Sequence, residues 1–270
     1  MLAFSPDGRI LASSEGNKII LWNVETRQPL SEIVSGHQYK YGSLVETPVG
    51  SLAFSPDGKT LVSGGCGKLE ERPWAGKTTE GCTQGEIRFW DVATRQMVGQ
   101  PLTGHTDKIR SMAFSPDGRT LASASGRLDG TIRLWDVATR QPLGSALTGS
   151  VATSMSKLVF SPDGKILISS STGATTQSIF LWDVATRQPI AQPLVGHNNF
   201  LADIALSPDG SRLASGGYDK TLILWDMSLD SWIAHACRLA NRNLTRDEWE
   251  QYFPDRPYQK TCPNLPEPKE

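Results

Sequence analysis

The sequence predicts an all-β chain of about five repeated units, each a small antiparallel sheet, and three observations carry that expectation. Ser-Pro-Asp-Gly occurs five times, starting at Ser5, Ser55, Ser115, Ser161 and Ser207. Each copy is followed, 17 to 35 residues after its serine, by a tryptophan that ends a β-rich run: Trp22, Trp90, Trp135, Trp182 and Trp225. The steps between serines are 50, 60, 46 and 46 residues and those between tryptophans 68, 45, 47 and 43. A core unit of 43 to 47 residues has the length of a four-stranded blade.

The elements follow in order, with units at about 1–37, 50–105, 109–150, 155–197 and 201–229. The third shows the plan best. Residues Ile109 to Phe114 alternate and form the innermost strand. Ser115-Pro116-Asp117-Gly118 is a tight turn, with proline presetting φ and glycine accepting a left-handed conformation. Thr120 to Ala124 gives the second strand, Asp129-Gly130 turns the chain, and Thr131 to Trp135 gives the third. Pro142 to Leu147 is the expected outer strand. Second strands recur at Leu11, Leu61, Leu167 and Leu213, and third strands end at Trp22, Trp90, Trp182 and Trp225. Sheets this small bury both faces by stacking radially on neighbours, as the blades of a β-propeller do.

Composition narrows the function classes. Twenty-seven basic and 28 acidic residues give a formal net charge of -1, with no basic track for nucleic acid. No apolar run is long enough to span a bilayer and no export signal opens the chain. Cys66, Cys82, Cys237 and Cys262 form no dense framework, so free thiols in a reduced cytoplasm are expected, with a disulfide only in an oxidising compartment. Cys66 and Cys82 lack a neighbouring histidine, so no metal site is expected.

These features resemble the WD-repeat (WD40) β-propeller family across roughly residues 1 to 227. Trp90-Asp91, Trp135-Asp136, Trp182-Asp183 and Trp225-Asp226 match its name-giving dipeptide, and unit one departs with Trp22-Asn23. Gly36-His37, Gly104-His105 and Gly196-His197 match its second marker. The resemblance implies a buried network of histidine, second-strand hydroxyl, turn aspartate and tryptophan. Unit five carries it as His197, Ser215, Asp219 and Trp225, and unit three as His105, Ser123, Asp129 and Trp135. A His-Ser-Asp group also matches a hydrolytic triad on paper. Recurrence at the blade period, with a tryptophan included, favours a structural role and no catalytic residues. Unit four has Ser150 in place of histidine and Thr176 before Trp182, and unit two lacks the turn aspartate, so both are expected to be less tightly pinned.

Family rings usually have seven blades, so five predict an incomplete or unlatched assembly, completed in one reading by another chain or a missing N-terminal half. The chain opens on an inner strand, Leu2-Ala3-Phe4, and unit five has three strands. Gln38–Gly50 and Gly67–Gly85 break the period, and Tyr39, Tyr41, Glu70, Glu71 and Trp74 are candidate contact-loop residues. From Asp230 the chain turns helical. Asp230 caps a first helix to about Asn241, and Thr245-Arg246-Asp247-Glu248 is a capping box for a second ending near Phe253. The two-helix tail, 230–256, is expected to pack on the last blade through residues among Trp232, Trp249, Tyr252 and Phe253, with 257–270 a loose extension. This tail resembles those of large bacterial, often cyanobacterial, WD-repeat signalling proteins. The functional expectation is a cytoplasmic protein-binding scaffold or sensor module without catalysis or cofactor. Its partner would be a protein, not nucleic acid or membrane. The alternatives are a non-functional or split C-terminal fragment and a small-ligand or enzymatic propeller.

Overall fold

The structure, a computed structural model, describes residues 1–38, 49–74, 77–148, 154–172, 177–252 and 257–266. Five antiparallel sheets follow one another along the chain. Sheet one holds β1 (Leu2–Phe4), β2 (Ile10–Glu15), β3 (Lys18–Asn23) and β4 (Pro29–Val34). Sheet two holds β5 (Val49–Phe54), β6 (Thr60–Trp74), β7 (Lys77–Asp91) and β8 (Leu102–His105). Sheet three holds β9 (Ile109–Phe114), β10 (Thr120–Ser125), β11 (Thr131–Asp136) and β12 (Leu147–Thr148). Sheet four holds β13 (Ser154–Phe160), β14 (Ile166–Thr172), β15 (Gln177–Asp183) and β16 (Leu194–Val195). Sheet five has three strands, β17 (Leu201–Leu206), β18 (Arg212–Gly217) and β19 (Leu222–Asp226). Two helices follow, α1 (Leu229–Ala240) and α2 (Arg246–Tyr252).

The chain divides into two compact units. Met1–Ala205 with Ser215–Ile223 form the first, and Leu206–Ala214 with Leu224–Glu270 the second.

In the first unit the repeated turn has one physical design. In the Ser55, Ser115 and Ser161 copies, as in the Ser5 copy, the serine hydroxyl donates to the aspartate Oδ1 at 2.6 Å. The same hydroxyl accepts the backbone N–H five residues on at 2.9–3.0 Å. The glycine of each turn stands at a φ of 70–72°, where a side chain would be strained. Aspartate, hydroxyl and glycine are therefore all needed, which is why the tetrapeptide recurs whole.

The core is built at the junctions between sheets. Ala12, Ile19, Leu21 and Ile33 of sheet one pack on Val49, Leu52, Phe54, Leu61 and Trp90 of sheet two. Val62, Ile87, Phe89 and Leu102 pack in turn on Ile109, Met112, Leu121 and Trp135. Ala122, Ile132, Leu134 and Leu147 pack on Met155, Leu158, Phe160, Leu167 and Trp182. In each case the third-strand face of one sheet meets the first-strand face of the next.

Several expectations are corrected here. The Gly67–Gly85 segment is not a loose link: β6 and β7 are 15-residue strands paired from Thr60↔Asp91 to Trp74↔Lys77. Cys66 and Cys82, expected as free thiols, form a disulfide across this hairpin, whose pairing holds their Cα atoms 5.7 Å apart. The outer strand expected at Pro142–Leu147 is reduced to Leu147–Thr148. Pro142 makes only an isolated bridge to Trp135, and Gly144 bends the chain at φ 74° before pairing resumes.

The second unit contains both helices. The cap of α1 is Ser228, not Asp230: its hydroxyl accepts the Ser231 N–H at 3.3 Å, and Asn241 ends the helix at φ 52°. Asp226 receives the Ser228 N–H at 2.9 Å, and the Trp232 indole donates to the Asp226 carbonyl at 2.6 Å. At α2, Thr245 Oγ1 accepts the Glu248 N–H at 3.2 Å while Glu248 Oε2 accepts the Thr245 N–H at 2.9 Å.

The loose extension expected from 257 is replaced, over 257–266, by a strap. Buried Asn243 donates through Nδ2 to the carbonyls of Leu265 and Pro266 and accepts the Cys262 N–H at 2.6 Å. Tyr258 donates to the Leu244 carbonyl and packs edge-on against buried Trp249, ring centroids 5.7 Å apart. Cys237 and Cys262, also expected free, are bonded, their Cα atoms 5.5 Å apart. The Tyr252 side chain and Phe253 lie outside the described residues.

Candidate functional site

The polar groups predicted for unit three come together between the end of β8, which carries His105, and β10 and β11 of sheet three. The indole Nε1 of Trp135 donates to Ser123 Oγ at 2.8 Å, and that oxygen lies 2.8 Å from His105 Nε2. His105 Nδ1 lies 2.9 Å from Asp129 Oδ2. Asp129 also accepts the Thr106 N–H at 2.6 Å and the Thr131 hydroxyl. An indole can only donate and a carboxylate can only accept, so the two ends fix the direction of the chain. Trp135 gives its proton to Ser123, Ser123 gives to His105 Nε2, and His105 Nδ1–H gives to Asp129. Burial works to raise the Asp129 pKa, but the hydrogen bonds from His105 and Thr131 outweigh it and hold it at about 2.

Sheet five repeats part of this set within the first unit. His197 Nε2 lies 2.8 Å from Ser215 Oγ, and Nδ1 lies 3.0 Å from Asp219 Oδ2. Asp219 further accepts the Asn198 N–H at 2.9 Å and the Thr221 hydroxyl at 2.7 Å. Its pKa is held far below the usual carboxylate range, first by that hydroxyl. Trp225 belongs to the second unit and is half-buried.

Sheet two supplies what sequence reasoning missed. His37 Nε2 lies 2.9 Å from Ser63 Oγ, which accepts the Trp90 indole N–H at 2.9 Å. The carboxylate is Glu86, buried on β7, with Oε1 3.2 Å from His37 Nδ1 but not aligned for a hydrogen bond. Arg88 holds it through Nε at 2.8 Å and anchors on the Ser35 carbonyl through Nη1 at 2.8 Å. Burial works to raise the Glu86 pKa, and His37 and Arg88 bring it below the ordinary value. The signal in the sequence is Glu86, four residues before Trp90, on the third strand where units three and five carry their carboxylate in the preceding turn. In sheet four the Trp182 indole donates to Ser169 at 2.9 Å; Ser150 and Thr176 lie outside the described residues.

Of the candidate contact residues, Glu70 and Glu71 are exposed on the β6 extension, where Lys68 pairs with Glu70 at 2.6 Å. Tyr39, Tyr41 and the Trp74 side chain lie outside the described residues. In the second unit an open groove of about 680 Å³ runs between α1 and the strap, lined among others by Ile233, Cys237, Thr261 and Leu265. Among the described residues no group of His, Cys, Asp or Glu is placed to hold a metal, and no helix is long and apolar enough to cross a membrane.

Sheets that pass an apolar junction from one to the next, with a buried indole-to-serine hydrogen bond recurring in sheets two, three and four, define a blade-repeat β-propeller protein. The family model described as "WD domain, G-beta repeat" matches residues 2–23, 30–69, 96–136, 141–183 and 188–226, and the chain belongs to that family. It is similar to a guanine nucleotide-binding protein subunit beta from Zea mays, 25% identical over 82% of this chain and 53% of that protein. It is also similar to a periodic tryptophan protein 2 homolog from Schizosaccharomyces pombe, 32% identical over 46% of this chain and 12% of that protein. The chain thus spans about half the length of the maize relative and far less of the yeast one. A chain from a solved structure titled "Crystal Structure of Mitotic Checkpoint Complex" shares the fold at a TM-score of 0.66. Identity there is 21%, over 84% of this chain and 63% of that one.

Proposed function

We propose that this chain is a protein-binding scaffold or sensor module that does no chemistry of its own. One observation carries the proposal. The serines of its triad-like groups, Ser63, Ser123 and Ser215, are enclosed, and Ser63 and Ser123 are already engaged by an indole and an imidazole. A nucleophile must reach a substrate carbonyl, and an enclosed hydroxyl between two ring nitrogens has no room for one. The names of its relatives point the same way, since one is a subunit and the solved chain comes from a complex.

The recognition element we assign is the extended β6–β7 hairpin, which runs on past the ordinary blade length. It presents Glu70 and Glu71 to solvent and is stiffened by the Cys66–Cys82 bond. Paired strands and exposed carboxylates suit a partner with a basic face. The test is affinity capture from the native host with the full chain and with a variant in which Gly67–Gln84 is replaced by an Asn-Gly turn, with Cys66→Ser. Captured protein should be lost from the variant while its melting temperature is kept. Equal capture by both would remove the hairpin's role. A turnover reaction lost in Ser123→Ala before the fold is lost would overturn the non-catalytic reading.

A further inference from the structure

The turn after the third strand repeats as Asp-Val-Ala-Thr-Arg in sheets two, three and four. Arg95, Arg140 and Arg187 leave it alike, at φ 60–65°, each backbone N–H bonded to the carbonyl of Asp91, Asp136 or Asp183 at 2.7–2.8 Å. Two of them fill a space beside the outer segment of the preceding sheet. The Arg140 guanidinium lies over the Phe89 ring, 4.4 Å from its centre, and Nη1 donates to the Val98 carbonyl. A Cβ on Gly99 would stand 2.7 Å from Arg140 Nη1, and one on Gly144 would stand 2.9 Å from Arg187 Cζ. These glycines, at φ 70° and 74°, both bend the segment and make room for the arginine. Each lies eight residues after the aspartate of its turn, and eight residues after Asn23 sheet one has Ser31. Ser31 carries a Cβ and stays in extended β4, opposite Leu21. Arg95 is exposed, and at this junction an open pocket of about 550 Å³ remains.

We propose that this pocket between sheets one and two binds an acidic peptide segment of a partner protein. An apolar side chain of the segment enters over Leu21, Leu30 and Val92, and a neighbouring carboxylate meets Lys59 and Arg95, all five of them lining the pocket. The next two junctions argue for a side chain as the occupant, because an arginine of this chain fills the corresponding place there. Charge argues for the sign of its neighbour. Lys59 and Arg95 are exposed, and among the described residues neither makes an ion pair. The carboxylate that also lines the pocket, Asp91, is turned to its own loop: Oδ1 accepts the Thr94 N–H at 2.7 Å and the Thr94 hydroxyl at 2.8 Å. Two free cations beside an apolar floor select an apolar residue next to an acidic one, since the carboxylate gains charge-assisted hydrogen bonds and the apolar side chain leaves water. A second cation entering there would meet two already present. The site uses neither Glu70 nor Glu71, so it is independent of the hairpin assigned above.

Calorimetric titration of the full chain with three end-capped peptides tests this. Glu-Glu-Leu-Phe-Glu carries both features, Lys-Lys-Leu-Phe-Lys reverses the charge, and Glu-Glu-Ser-Ser-Glu removes the apolar pair. The first should bind about tenfold or more tightly than either of the others. Two variants place the binding. Lys59→Glu with Arg95→Glu should reverse the preference in favour of the basic peptide, and Leu30→Asp should weaken the acidic peptide by about tenfold or more. Lys59, Arg95 and Leu30 are exposed, so melting temperatures should stay close to the parent's. A parent that binds none of the peptides at millimolar concentration overturns the proposal. So does equal binding of the acidic and basic peptides, or a folded variant that binds the acidic peptide as the parent does.

Discussion

Replacing Ser123 by alanine removes one oxygen and strands two groups. Trp135 Nε1–H loses its acceptor at 2.8 Å and His105 Nε2 loses its donor at 2.8 Å, both in a fully buried position. A buried polar group left without a partner costs about 1–3 kcal/mol. Two such groups give about 2–5 kcal/mol, allowing for overlap between neighbours that share one partner. The methyl group of alanine creates no cavity large enough to add much. In a chain of this size each kcal/mol lowers the melting temperature by about 2–4 °C, so a central loss of about 3 kcal/mol becomes about 6–12 °C. The assay is thermal and urea unfolding of the parent and the variant, followed by circular dichroism and tryptophan fluorescence. A stability change below about 0.5 kcal/mol would show that the hydroxyl is not holding the blade, and the reasoning would fail.

Two further outcomes are expected. Asp129 titrates in the fold at about 2, below its ordinary value of 3.8. Its contribution is therefore complete above pH 4 and lost as pH falls through 2, at most about 2 kcal/mol; Asp129→Asn should remove that part of the acid unfolding profile, read by urea midpoints between pH 2 and 5. The Cys237–Cys262 bond closes a separation of 25 residues, for which chain-entropy arguments give about 3–4 kcal/mol. Cys262→Ser should therefore make the tail the first site of cleavage in limited proteolysis, and an unchanged digestion pattern would show that Asn243 alone secures the strap.

How much was legible depended on whether the signal was local. The Ser-Pro-Asp-Gly turns were, because every bond that builds them lies within five residues. So were the third strands, whose alternation ends on a tryptophan. Both disulfides were not. Cys66 and Cys82 read as partners only once the residues between them pair as a hairpin, and Cys237 meets Cys262 where Asn243, Tyr258 and Thr261 hold the strap. The helix start slipped for a related reason. Ser228 and Asp230 are both good caps, and the choice between them follows from Asp226 receiving the Ser228 N–H. Residue exposure was the least legible quantity. Leu222 and Ile19 hold the same place on their third strands, yet Ile19 is enclosed in the junction with sheet two and Leu222 is exposed.

The blade networks explain why Glu86 can occur in place of a turn aspartate. The chemistry of the ends sets the requirement: a donor that cannot accept at the indole, and an acceptor that cannot donate at the carboxylate. Between them a hydroxyl and an imidazole can relay in one direction only. The carboxylate may come from the turn, as Asp129 does, or from the strand itself, as Glu86 does, provided it lies beside Nδ1. An amide does not meet the requirement as well. Asn at 129 would present one oxygen to His105, Thr106 and Thr131, all of them donors to the carboxylate, and would turn an N–H toward at least one of them. The same logic makes Arg88 part of the sheet-two arrangement. Glu86 reaches from a strand, and the Arg88 guanidinium holds its charge through Nε and Nη2 at 2.8 Å each. Removing Arg88 would therefore leave a buried carboxylate with an ill-aligned imidazole as its remaining neighbour in that set, a costlier loss than the distance of Arg88 from the serine suggests.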